Sequence, residues 1–300
     1  MGWARAFRLG VALLAVTIAS TACGRYMPTS QAATSPPTPK ASAKASAKTP
    51  VATSGICTSA KYPQLAAQIS AGIKKALAGR SSVVAITADD ASQDITCQLH
   101  QWWPIHSASV VKVIILGALL HELMPGDHDL TPEQITLTHE MITESDNDAA
   151  SALWDEVGMA NLQSFLNAAK MTHTELGQGG LWGLTDVNAH DEMLLLQLLT
   201  TNNTVLDEES REYALQLMAD VIPSQRWGAP AGAPSNVTVH VKNGWLPDPD
   251  LWVINSLGDF TSPDGDYSIA ILSKDNPSMG YGISTVQAAA EVINHDLNQK

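Results

Sequence analysis

Apolar residues recur at Leu65, Ile69, Ile73 and Leu77, so residues 63–78 read as an amphipathic helix. Residues 82–88 change to a strand pattern through Val83, Val84 and Ile86. After a polar turn, residues 95–99 form a second strand. From Ser109 the run Val113-Ile114-Ile115-Leu116 predicts a buried helix reaching about Met124, where Pro125-Gly126-Asp127 breaks it. Thr131 and Pro132 open the next helix as cap and first residue, and it ends near Ser145-Asp146-Asn147. Further helices are expected at 148–157 and 160–169, from Thr185 through Leu199, and at 207–218. A Gly-rich stretch around Trp182 and a Pro/Gly-rich crossing at 223–234 separate these pieces. Strand spacing returns at 237–241, 251–257 and 267–272, and 283–297 is a final helix.

Strands thus lie at both ends and helices fill the middle. That order predicts an α+β fold in three layers. One largely antiparallel sheet, from 57–106 and 235–300, is flanked by the first and last helices. A helical lobe, 107–234, is inserted, with a cleft where lobe and sheet meet. Trp102, Trp103, Pro104 and His106 lead into that cleft. The two tryptophans read as core, with a pocket wall as the other possibility.

The N-terminal region changes the picture from one domain to three parts. Arg5 and Arg8 precede an apolar core at 9–18 that is too short to span a bilayer, the pattern of an export signal over 1–22. Ser20-Thr21-Ala22 before Cys23 resembles a bacterial lipobox, in which the cysteine is lipidated. Ser20 departs from that pattern, so free secretion is the alternative. Residues 23–56, with the repeat Ala41-Ser42-Ala43-Lys44-Ala45-Ser46-Ala47-Lys48, have no apolar face and read as a flexible tether to a domain at 57–300.

The chain has 17 basic and 30 acidic side chains, net −13. Six basic residues and no acid precede Cys57, so the domain carries 11 against 30, or −19. That charge argues against nucleic acid as a partner. The basic tether suits an anionic membrane or cell-wall surface, or simply stays soluble. With Cys23 assigned to the lipobox, Cys57 and Cys97 remain, and in an oxidising compartment they are expected to pair. No Cys-x-x-Cys or histidine cluster argues for a metal, and no cofactor motif is present. His106, His173, His190 and His240 read as packed or solvated, with His106 at the site mouth as the exception considered.

Three short motifs carry candidate chemistry. Ser109-Val110-Val111-Lys112 is the one Ser-x-x-Lys of the chain. It puts a hydroxyl and an amine on one helix face. A lysine in a dry pocket can act as base for a serine nucleophile, and unpaired N–H groups of the first turn can hold an oxyanion. The same residues also suit a plain helix start. Ser145-Asp146-Asn147 offers a relay hydroxyl and a carbonyl-holding amide, or an ordinary N-cap. Lys242-Asn243-Gly244 would be a hairpin turn, but Pro247 and Pro249 place the turn later and leave the motif inside a strand.

In that order the three motifs resemble the signature of the penicillin-recognising serine enzymes, the class A β-lactamases and penicillin-binding proteins. The resemblance spans roughly Cys57 to the C-terminus. It implies Ser109 as nucleophile, Lys112 as its base and Ser145 as proton shuttle to the leaving group. Asn147 would hold the substrate amide, and Lys242 would attract a substrate carboxylate. The oxyanion donors would be the backbone N–H groups of Ser109 and Trp245. The substrate would be a small molecule or peptidoglycan-like, without cofactor or metal.

Departures from the pattern qualify this. Asn243 stands where the family has a hydroxyl residue, and its amide would still donate to substrate. Trp245 is bulky where the family has small residues beside Gly244. In the short stretch 174–180, Glu175 is the one acid able to replace the deacylating glutamate of class A. The segment from Lys112 to Ser145 is also short, so a reduced helical lobe is expected. Arg226 is a candidate for a substrate carboxylate or a surface arginine. The expected activity is a serine hydrolase that acylates on Ser109 with poor β-lactam turnover. The alternatives are a true class A β-lactamase and a non-catalytic envelope-binding lipoprotein.

Overall fold

In the computed structural model, which describes residues 55–124, 129–263 and 265–299, alternation along β2 (Val83–Asp90) sends Val84, Ile86 and Ala88 to one face and Ala85 to the other. Strand β8 (Tyr267–Asn276) repeats this, with Ile269 and Ile271 on the first face and Ala270 and Leu272 on the second. Period-2 sorting therefore gives the sheet two separate cores. On one face lie α1 (Pro63–Leu77) and α7 (Met279–Leu297), packed against each other. The other face is covered by the helices of the lobe.

The sheet has six strands in the order β1-β3-β2-β8-β7-β6, and every pairing is antiparallel. The remaining members are β1 (Cys57–Thr58), β3 (Ile95–Leu99), β6 (Thr238–Asp248) and β7 (Leu251–Thr261). Strands from both ends of the domain meet at β2–β8, as the sequence pattern predicted. Strands β6 and β7 turn at Pro249-Asp250, since Asp248 pairs with Leu251, so the Lys242 motif does lie within a strand. A separate two-stranded ribbon joins β4 (Ile105–His106) to β5 (Asp186–Val187). Sequence pattern does not announce elements this short.

In the lobe, α2 (Val111–Leu123) has ten consecutive buried residues from Val111 to Leu120, as its apolar run predicts. Thr131 caps α3 (Pro132–His139) through a reciprocal capping box with Gln134. The two helices expected at 148–169 are one span, α4 (Asn147–Ala168), interrupted at Gly158 with φ 73°. A side chain there would be strained. The helix expected to open at Thr185 begins four residues later as α5 (Ala189–Thr200), capped by Asn188. Thr185 is buried, and its hydroxyl accepts the Gly177 N–H at 3.0 Å. Helix α6 (Glu208–Ala219) follows, capped by Asp207. Trp102 and Trp103 correct a second expectation: they are not core but 48% and 42% exposed, stacked on His190 and His100.

Among the described residues, no helix is long and apolar enough to cross a membrane. The export signal, Cys23, the tether up to residue 54 and the break at 125–127 lie outside the described residues. Cys57 and Cys97 face each other across β1 and β3 and form a disulfide that closes a sequence separation of 40. Such a loop contributes about 4 kcal/mol by chain entropy, less any strain. Cys97→Ser should therefore lower unfolding free energy by about 2–4 kcal/mol in urea. An unchanged midpoint would show that the bridge is dispensable.

Candidate active site

The turn that carries Ser109 is held from three sides. After β4, Ala108 takes a left-handed φ of 48° and starts a 3-10 turn, Ala108–Val110, which runs into α2. Ser107 donates its N–H to Thr185 O at 2.8 Å. From beneath, fully buried Asn255 of β7 donates its amide to His106 O (2.8 Å) and Ser107 O (2.9 Å). From the side comes the edge strand β6. A Cβ on Gly244 would lie 2.7 Å from Ser107 O and 2.8 Å from Ser109 N, so only glycine lets the strand approach this closely. Ser109 itself is half-buried. Among the described residues its hydroxyl has no hydrogen-bond partner.

Two lysines without solvent exposure converge beside it. Lys112, one turn along from Ser109, donates to Ser145 O at 2.7 Å, Asn147 Oδ1 at 2.8 Å and Ser145 Oγ at 3.2 Å. Lys242 donates to the same Ser145 Oγ at 2.9 Å and to Asn243 O at 3.2 Å. Ser145 reaches both because a π-helical turn, Glu140–Glu144, ends in it at a left-handed φ of 61°. Burial lowers Lys112 to a pKa of about 7, partly opposed by the Asp146 carboxylate. Burial, then repulsion from Lys112, pushes Lys242 well below the usual lysine value. The site therefore holds amines that can be neutral at neutral pH, linked by a hydroxyl able to pass a proton.

The structure thus brings together Ser109, Lys112, Ser145, Asn147, Lys242 and Gly244. Trp245, half-buried, follows Gly244 and packs on Trp227 with ring centroids 5.9 Å apart. Asn243 corrects an expectation. Its side chain is buried, and its amide donates to Gln225 O (2.7 Å) and Trp227 O (2.9 Å), so it secures the preceding loop instead of facing a substrate. Arg226 is likewise engaged, donating to Ala219 O and Val239 O. Glu175 has an exposed side chain without a hydrogen-bond partner among the described residues, and its backbone pairs with Asp186. His106 bonds Asp186 at 2.8 Å, and His240 is buried against Leu215 O. His173 and His190 lie beside buried Asp191. Among the described residues, no group of His, Cys, Asp or Glu could hold a metal ion.

Two contributors escaped the sequence reading. Trp182, in the Gly-rich stretch, places its ring 4.9 Å from Lys112 Nζ and bonds Ser151 through Nε1. Asn255 is the other. Its signal was a polar amide inside the apolar strand Trp252-Val253-Ile254-Asn255, which burial obliges to find partners.

A β-lactamase-type fold with this serine–lysine constellation defines the class. The family described as the beta-lactamase enzyme family matches residues 133–296, more than half of the chain's 300 residues, and the chain belongs to it. Similar solved structures include a β-lactamase from Sphaerobacter thermophilus, at 18% identity over 75% of this chain and 95% of that one, TM-score 0.65. A class A representative from Bacteroides cellulosilyticus shares 14% identity over 78% and 98%, TM-score 0.67. PBP-A shares 18% over 76% and 95%, TM-score 0.66. Identities this low bear on the fold alone. No curated protein matches the sequence.

The contact at Gly244 gives a direct test. Gly244→Ala should force β6 away from the Ser109 turn and cost about 1–3 kcal/mol of stability. Labelling of Ser109 by a fluorophosphonate should slow at least about tenfold, since misplacement of a reacting group is costly. Unchanged labelling would mean that the approach of β6 does not position Ser109.

Proposed function

We propose that the protein is a serine hydrolase that forms an acyl-enzyme at Ser109 with an amide, β-lactam or ester. The observation that carries this is the meeting of two buried lysines on the Ser145 hydroxyl beside a Ser109 hydroxyl that has no hydrogen-bond partner among the described residues, in a member of the β-lactamase family. Neutral Lys112 takes the Ser109 proton as Oγ bonds to the acyl carbon. Ser145 passes a proton to the leaving nitrogen or oxygen as its bond to that carbon breaks. Water then releases the acid and restores Ser109. Because Lys112 is held by Ser145 and Asn147, it must release one of these contacts to reach Ser109.

Deacylation is the slow half of this cycle. Glu175, the acid of the loop where class A enzymes keep their water-activating glutamate, is exposed and unanchored among the described residues. A missing positioned base costs about 10²–10⁴-fold. A variant of the structural neighbour PBP-A was solved as an acyl-enzyme complex with penicillin-G, and an acyl-enzyme is the species proposed to accumulate here. Export and a lipid on Cys23, which would hold the domain at a membrane, complete the proposal. Mass determination of the native N-terminus tests them, and a start other than lipidated Cys23 rejects the anchor.

Intact-protein mass spectrometry after exposure to an activated ester or β-lactam should show a persistent adduct, absent in Ser109→Ala. The rate of its formation should rise with pH and level off above about 7, because the amine of Lys112 must be neutral to accept a proton. Glu175→Gln should leave the adduct's lifetime unchanged. Rapid turnover of a penicillin that is lost in Glu175→Gln would instead identify a working β-lactamase.

A further inference from the structure

The acidic charge of this domain is concentrated in its helical lobe. Residues 107–234 hold 19 of the domain's 30 acidic side chains but four of its 11 basic ones: Lys112, Lys170, Arg211 and Arg226. A field of that sign gathers cations and repels anions. Within the lobe lies a cavity of about 340 Å³ between the C-terminal part of α2, the start of α3 and the first turns of α6. It is separate from the serine–lysine centre: Leu120, which lines it, lies eight residues beyond Lys112, or about 12 Å along α2.

The lining joins two kinds of surface. Leu120 and Leu123 of α2, Leu130 before α3, Ile135 within it and Tyr213 of α6 make it apolar. Ile135 is 48% exposed, apolar surface that the described fold leaves uncovered. Asp129, Asp207 and Glu209 add three carboxylates, all on exposed residues. Hydrogen bonds from Ser210 hold Asp207 below the usual carboxylate range, so it is ionised at neutral pH. Among the described residues, no lysine, arginine or histidine lines the cavity. The one cation of α6, Arg211, keeps its charge while donating to Leu206 O and Asn202 Oδ1, and the carboxylates remain in excess of it.

We propose that this cavity binds an organic amine, its aryl or alkyl body against the leucines and its ammonium among the three carboxylates. The volume suits a small ligand, and an apolar pocket with a few charged groups orients such ligands. A carboxylate on the same body would meet like charges at the rim, and a neutral head would leave them unused. The site is independent of the chemistry at Ser109, so either reading can fail without the other.

The test titrates the full chain with three probes that share one apolar body, 4-phenylbutylamine, 4-phenylbutanol and 4-phenylbutanoate, read by ligand-observed NMR. The amine should bind about fivefold or more tighter than the alcohol, and the acid should bind weakest. Raising salt from about 0.02 to about 0.5 M should cut the amine's advantage about twofold or more, because exposed charges are screened. Asp129→Asn combined with Glu209→Gln, both at exposed positions, should bring the amine to within about twofold of the alcohol. Ile135→Lys, also at an exposed position, should weaken the amine about tenfold or more by setting an ammonium at the cavity. A thermal melt checks that each variant is folded. An alcohol or acid that binds as tightly as the amine overturns the inference. So does failure of all three to bind folded protein at about 5 mM. An amine affinity unmoved in both folded variants puts its binding elsewhere and overturns the assignment too.

Discussion

Two lysine side chains share one serine hydroxyl in the interior of this protein, and most of the architecture serves that contact. Lys112 and Lys242 both lie within about 3 Å of Ser145 Oγ, so their nitrogens are no more than about 6 Å apart. At an effective dielectric near 20, two unit charges at that distance repel by about 3 kcal/mol. Taking each ammonium out of water adds several kcal/mol more. The carbonyls of Ser145 and Asn243 and the Asn147 amide offset part of this. The cheapest state near neutrality therefore has one neutral amine, which is what a serine nucleophile needs nearby. Burial, the larger cause for both lysines, favours a neutral amine in this site.

The three participants come from elements far apart in sequence. Lys112 is on the fully buried helix α2, Ser145 is at a left-handed turn of the lobe, and Lys242 is on the edge strand of the sheet. The sheet must close between strands from both ends of the domain before β6 can lie against the Ser109 turn. The Asn255 amide then ties the sheet to that turn through His106 O and Ser107 O. Disrupting either the sheet or the lobe would admit water to the amines, and the burial that lowers both would be lost.

Much of this was readable in the chain because its signals are local. Ten consecutive apolar or buried positions after Ser109, the Thr131-Pro132 cap, and the prolines that displace the hairpin turn each act within a few residues. The errors share a different cause. Thr185 has the look of a helix start, yet its hydroxyl is used by Gly177 across a loop. Trp102 and Trp103 are apolar enough for a core, but imidazoles of His190 and His100 cover them at the surface. Asn243 could have donated to a substrate until the return of the chain placed two carbonyls within its reach. Each error concerns where a side chain finds its partner, and the partner is set by tertiary packing.

Asn243 also shows how packing can turn a motif residue to a structural task. A hydroxyl there has a single proton to donate and can offer it to a ligand, whereas an amide has two and here gives both to the backbone at Gln225 and Trp227. Its carbonyl oxygen is left buried without a partner, a cost the loop's anchorage must exceed. That anchorage holds the Trp227 carbonyl, and the Trp227 ring packs on Trp245 with centroids 5.9 Å apart. The Lys112–Ser145–Lys242 cluster is independent of this anchorage, because none of its contacts is made through the Asn243 side chain.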